Sequence, residues 1–232
     1  MRKVSKKYHY DRAELNNVYS FFGTTSIYTF TKTTNMSLEI ASLRLHWNYF
    51  LALESDLGVA SRYVEFNIQN CEVYSIEFAH LLFAAASEID VVAKLLCENL
   101  MPRAPRKNIN DYKKILLSSI PELPKTRINL ITCGLEIYPW RDWNDDESSV
   151  SPIWWKSYNN IKHERHLFFH EATLKNALLA LGALLILIFH LYSRSHPTST
   201  KILSLQETTR LMQPTTSLLR FDPNYYFQII IG

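Results

Sequence analysis

ALLALGALLILIF, Ala177 to Phe189, runs thirteen residues without a charge before it meets His190. A membrane span needs roughly 20 consecutive apolar residues, whereas runs of about 10 to 14 belong more often to helices buried in a protein core. The segment is therefore expected to be the central helix of a bundle, with a peripheral or spanning membrane position as the weaker alternative. Upstream, no glycine or proline interrupts Ile153 to Leu181. This stretch should form one very long helix, or two that meet near His170.

A core helix needs partners, and the pattern supplies them. Phe78, Leu81, Leu82, Ala85, Ile89, Val92 and Leu96 repeat at helical spacing between about Glu72 and Leu100, with Pro102 just beyond. Glu77, His80, Ala84 and Glu88 fall close to one line on another face of that helix. Acidic groups beside a core face point to an internal or clefted partner. Leu38, Ile40, Leu43, Leu45, Trp47, Phe50 and Leu51 mark an earlier helix from about Met36 to Phe66, with Gly58 as its one candidate break. A short helix at Asn110 to Ser119 stops before Pro121, and the run RINLIT that follows reads as a loop or edge strand. Glu136 to Pro152 reads as an exposed connection anchored by Trp140 and Trp143.

The expected architecture is an all-α, up-and-down helical bundle over residues 36–194, with short strands or coil at the two ends. A basic, partly extended arm, residues 1–35, includes the β-like SIYTFTKT at Ser26 to Thr33. Residues 195–232 should form a non-helical C-terminal cover with one or two strands, ending in YYFQIIIG.

Composition agrees with a packed domain and excludes several classes of function. With 232 residues and 47% hydrophobic content the chain can bury a sizeable core, and five glycines are too few for a turn-rich β sandwich. The formal net charge of +3 does not by itself mark a nucleic-acid binder. Basic residues nevertheless gather at Arg2, Lys3, Lys6, Lys7 and Arg12, and again at Arg103, Arg106, Lys107, Lys113 and Lys114. Cys71, Cys97 and Cys133 are odd in number and far apart, against a disulfide framework or a zinc site. The N-terminal charges are broken by Asp11 and Glu14 before any apolar run, so no secretory signal is read and a cytoplasmic location is expected. No GxGxxG, GxxxxGK[ST], GxSxG or HExxH pattern occurs.

The chemistry-bearing stretch is WWKSYNNIKHERHLFFH, Trp154 to His170. Wound as one helix, Asn159, His163, His166 and His170 make a narrow polar stripe at i, i+4, i+7 and i+11. Trp154, Tyr158, Ile161, Phe168 and Ala172 make a second, apolar stripe that contains Arg165. A guanidinium in an apolar row needs an acceptor, and Glu77 or Glu88 of the second helix is the expected one; a snorkelling Arg or a register-setting ion pair is the structural alternative. A metal reading of the histidines is disfavoured, because one straight helix presents its ligands in a line.

Arg165-His166-Leu167-Phe168-Phe169-His170 resembles the R-x4-6-H pattern of HEPN proteins, in which a polar residue usually follows the Arg. The preceding YNNIKHER, Tyr158 to Arg165, is similar to the YNxxKHxR signature of bacterial HEPN-type helical domains, and the resemblance spans roughly residues 70–194. It implies a metal-independent endoribonuclease, acting as a homodimer on RNA without a cofactor, in a toxin or defence setting with an antitoxin or regulatory protein as a further partner. On that resemblance Arg165 binds and polarises the phosphate, His170 is the acid or base, and His166 holds the auxiliary polar position. Asn159, Lys162 and His163 support them through the signature, and Glu88 is added from helix geometry. Domains with YNxxKHxR often lack the downstream His, so the same resemblance also accommodates a non-catalytic helical interaction or RNA-binding module.

Overall fold

A computed structural model describes residues 44–143, 151–194, 205–222 and Tyr225. The basic arm, SIYTFTKT, the expected start of the first helix, most of the acidic connection after Trp143, and YYFQIIIG apart from Tyr225 lie outside the described residues.

Six helices and one small sheet make up the described chain. Helix α1 covers residues 44–60, α2 Ile76–Leu100, α3 Ile109–Ser119, α4 Ile153–Phe168, α5 Leu174–Ser193 and α6 Leu205–Leu211. Strands β1 (Ile128–Leu130), β2 (Glu136–Ile137) and β3 (Leu219–Phe221) complete it. Local chemistry sets the helix starts: Ser75 accepts from the Phe78 N–H, Asn108 from those of Asn110 and Asp111, and Thr173 from that of Asn176. Each cap satisfies a donor that the first turn would otherwise leave unpaired.

Helix α5 is the core. All of its residues except Lys175 and Leu179 are buried. By length and composition alone it could cross a membrane, but 94% of its most apolar 18-residue window is covered by the rest of the molecule. Helix α2 lies along it in the most extensive helix pairing, contributing the expected face of Phe78, Leu81, Leu82, Ala85, Ile89, Val92 and Leu96. Each such leucine or isoleucine contributes about 1.5–3 kcal/mol by leaving water. Gly182 admits the hairpin on another side. A Cβ there would stand 2.9 Å from Pro139 Cγ and 3.0 Å from Ile137 Cδ1, closer than packed carbons tolerate.

At the level of elements one open alternative is decided and other expectations change. The uninterrupted stretch from Ile153 is two helices, separated by a 3-10 turn at Phe169–Glu171 that places the junction at His170. The RINLIT strand is central rather than at an edge: the sheet order is β2-β1-β3, antiparallel throughout, with Ile128 opposite both Ile137 and Phe221. Arg127 locks this arrangement by donating to Glu136 at 2.7 Å on one side and pairing with Asp222 on the other. The fold is thus mostly helical, consistent with the expected helical bundle, with a small sheet of three strands among the described residues. The C-terminal cover, expected to be non-helical, contains α6, which packs against α5 with Thr208 fully buried. Tertiary burial there outweighs the weak helix propensity of Thr208 and Thr209.

Two buried polar anchors tie the C-terminal segment down. Glu54 of α1 is 2% exposed and accepts four hydrogen bonds, from the N–H groups of Ser217, Leu218 and Leu219 and the Ser217 hydroxyl. His190 of α5 accepts at Nδ1 from the Arg194 guanidinium at 2.8 Å, so its Nε2 carries the proton and donates to Tyr225 Oη at 2.5 Å. Burial, and secondarily the neighbouring Arg194 charge, hold the His190 pKa well below its ordinary 6.5.

The unfolded chain then binds a proton at His190 below about pH 6.5 while the native chain does not, so native stability rises with pH in that window. This group contributes its full stability above about pH 6.5, and stability slopes downward on acidification below it. Urea midpoints measured from pH 7.5 to 5 should show that slope, and His190→Gln should flatten it.

Candidate functional site

Helix α4 is positioned by its aromatic side. Asp142 accepts from the Ile153 N–H at 2.9 Å and fixes the helix start, and the Trp154 indole donates to the Pro139 carbonyl at 2.8 Å. A row of ring contacts continues from there. Trp143 meets Trp140 at 4.4 Å, Trp140 meets Trp154 at 5.3 Å, Trp154 meets Trp155 at 5.7 Å and Trp155 meets Tyr158 at 5.5 Å. Tyr158 packs edge-on against Phe83 of α2 at 5.4 Å, and the Arg165 guanidinium lies over that same Phe83 ring at 5.5 Å.

The helical phase assumed from the sequence ends at Glu164, whose φ of −138° and ψ of 54° are not helical. Asn159 and His163 precede this break, while Arg165, His166 and His170 follow it. The four-residue polar stripe is therefore not a single helical line. Arg165 does face α2, but it is exposed rather than embedded in the apolar row, and no carboxylate pairs with it among the described residues. Glu88 is engaged elsewhere, holding His46 Nδ1 of α1 at 2.5 Å, and Glu77 stands 4.0 Å from His80. The expected Glu77 or Glu88 contact to Arg165 is thus replaced by a cation–π contact with Phe83.

The remaining expected residues sort by what they touch. His163, His166 and His170 are exposed and have no hydrogen-bond partner among the described residues. Lys162 is exposed with its ammonium 5.4 Å from the Tyr158 ring centre. Asn159 is half-buried and donates to the Trp155 carbonyl at 3.0 Å, a contact within its own helix.

Two residues that the sequence reading passed over hold the His170 turn in place. Asn160 Nδ2 donates to both carboxylate oxygens of Glu171, at 3.2 and 3.1 Å, bridging the break from α4. Asn176 Nδ2 donates to the Glu171 carbonyl at 2.8 Å from the α5 side. The segment leading into α2 straps the same turn from outside: the Ser75 N–H donates to the Ala172 carbonyl, and the Leu174 and Lys175 N–H groups donate to Val73 and Cys71. Asn160 occupied a wildcard place in YNxxKHxR, which is why the pattern hid it.

The outcome is a fixed, exposed end of α4 carrying one guanidinium, one ammonium and three imidazoles. Such groups attract phosphates, and an imidazole can move protons near neutral pH. Among the described residues no group of three or more His, Cys, Asp or Glu side chains is placed to hold a metal ion. Compared with protein-family models, curated proteins and solved structures, the chain matches none.

Proposed function

We propose that this chain is a HEPN-like, metal-independent endoribonuclease whose site is built on Arg165, His166 and His170. The observation that carries the reading is the state of Arg165, an exposed guanidinium resting on Phe83 with no carboxylate partner among the described residues, five positions before an exposed His170. A cation kept free of internal acids is suited to an external anion, and the planar fork of Arg matches two phosphate oxygens.

RNA brings its own nucleophile. One imidazole takes the proton of the 2′-hydroxyl as that oxygen bonds to phosphorus; the bond from phosphorus to the 5′ oxygen breaks; a second imidazole returns a proton to the leaving oxygen. Arg165 stabilises the charge that grows on the non-bridging oxygens. The products are a 2′,3′-cyclic phosphate and a 5′-hydroxyl. A homodimer supplies the second imidazole as the partner's His170, with His166 of the same chain as the other source. A cytoplasmic toxin or defence role with a neutralising protein partner accompanies this reading.

A second reading has its own support. Among the described residues no hydrogen bond orients His166 or His170, whereas a catalytic base is usually held by a third group. On that account the same surface binds RNA or a protein partner without cutting.

One experiment separates the two. Purified wild-type chain is incubated with a mixed RNA pool in excess chelator, with its mass measured in solution. Cleavage with cyclic phosphate ends by a dimer supports the ribonuclease; a stable monomer that retains RNA and leaves it intact supports the binding module.

A further inference from the structure

A cleft of about 450 Å³ opens on the side of the molecule where the start of α5, the β2 strand and the segment after it, and the turn before α2 come together. That volume lies in the range of small-molecule sites, roughly 300–1,000 Å³. Its walls include Ile68, Ile137, Ile153 and Leu178. Ile68 and Ile153 are 69% and 44% exposed, so apolar surface is left facing water at the cleft edge.

Among the described residues two charges at this apolar floor have no partner of opposite sign, Asp142 and Arg141, and only Arg141 is a cation. Glu72 is paired with Lys175 at 3.4 Å. Glu136 is paired with Arg127 at 2.7 Å. Asp142 accepts from the Ile153 N–H at the start of α4. Arg141 is exposed, lies 4.7 Å over the Tyr138 ring, and has no carboxylate among the described residues. The ring contact holds the guanidinium beside the cleft, with no hydrogen-bond acceptor for it among the described residues.

We propose that this cleft binds a small organic anion, with its apolar body against Ile68, Ile137, Ile153 and Leu178 and its one carboxylate or phosphate on Arg141. An apolar pocket with a single unmatched, bidentate cation selects for both halves of such a molecule: the body gains by leaving water, and the fork fixes the charged end. The site is separate from the α4 end and does not depend on the ribonuclease reading. Its neighbour Cys71, which also lines the cleft, offers an internal reporter of occupancy.

The probes are octanoate and octyl phosphate, with octanol lacking the charge and acetate lacking the body. Binding to the full chain is followed by calorimetry, and its place by the rate at which iodoacetamide alkylates Cys71 relative to Cys133, which does not line the cleft. The expected result is that at least one octyl anion binds at least tenfold more tightly than octanol and acetate and slows alkylation at Cys71 alone. Arg141→Gln should remove that preference, leave the weak octanol binding unchanged, and keep the thermal midpoint of the wild type. The difference between octanoate and octyl phosphate identifies the headgroup. Equal binding of octanol and the octyl anions, equal binding by wild type and Arg141→Gln, or unprotected Cys71 at saturation overturns the proposal.

Discussion

Arg165→Ala is expected to lower RNA cleavage by about 10²–10³-fold, the effect typical of deleting one preorganised donor to a developing oxyanion. Its structural cost is small by comparison. The side chain is exposed, makes no ion pair among the described residues, and gives up a single contact with Phe83, worth about 0.5–1 kcal/mol at an exposed site. Loss of activity with an unchanged melting curve therefore assigns the effect to chemistry. Arg165→Lys keeps the charge and loses the fork, so an intermediate rate is expected. His170→Ala should cost about 10²–10⁴-fold through lost proton transfer, and the wild-type pH profile should bend near neutrality. Expression of each variant beside wild type, with growth and RNA integrity followed together, gives the cellular measurement. Wild type that is harmless and inert toward RNA removes the ribonuclease reading and leaves the binding module.

Leu184→Lys is expected to abolish the native state. Leu184 is fully buried in the middle of α5, the helix against which α2, α4, α6 and β2 pack. An ammonium placed at this fully buried position is expected to be unpaired, and an unpaired buried charge belongs to the class of changes that exceed about 4–5 kcal/mol. A domain of ordinary stability holds only about 5–15 kcal/mol in total. Leu184→Ala, which leaves a cavity, should cost about 2–5 kcal/mol, and Leu184→Met, which conserves volume, under about 1.5 kcal/mol. Urea unfolding followed by far-UV circular dichroism orders the three. A Lys variant that stays folded would mean that α5 is reached by solvent.

The parts of the fold that could be read from sequence are those in which periodicity and length act alone. The charge-free run Ala177 to Phe189 and the Phe78 to Leu96 face gave α5 and α2 correctly, because an all-apolar helix can satisfy its surface only inside a core. The α4–α5 junction was legible only as an alternative, although Thr173 ahead of an apolar run is an N-cap signal that marks the start of α5. What could not be read were long-range placements. RINLIT became a central strand because Leu219 to Phe221, some ninety residues later, pairs with its far side. The Glu54 anchor and the Glu88–His46 pair likewise join residues whose separation leaves no local pattern. For the candidate site, residue identities carried well and phase did not. A single non-helical residue, Glu164, was enough to turn Arg165 out of the apolar row, and no rule of spacing anticipates such a break.

The aromatic row from Trp143 to Tyr158 also decides what light reports about this molecule. Of the five tryptophans in the chain, four stand in that row with adjacent ring centres 4.4 to 5.7 Å apart, and only Trp47 stands elsewhere, stacked on Phe50 of α1. At such spacing the four indoles are close enough to exchange excitation, so their emission is expected to respond together. Intrinsic emission is thus a local gauge of the seat of α4, and the fluorescence of a Trp47→Phe variant reads that seat alone.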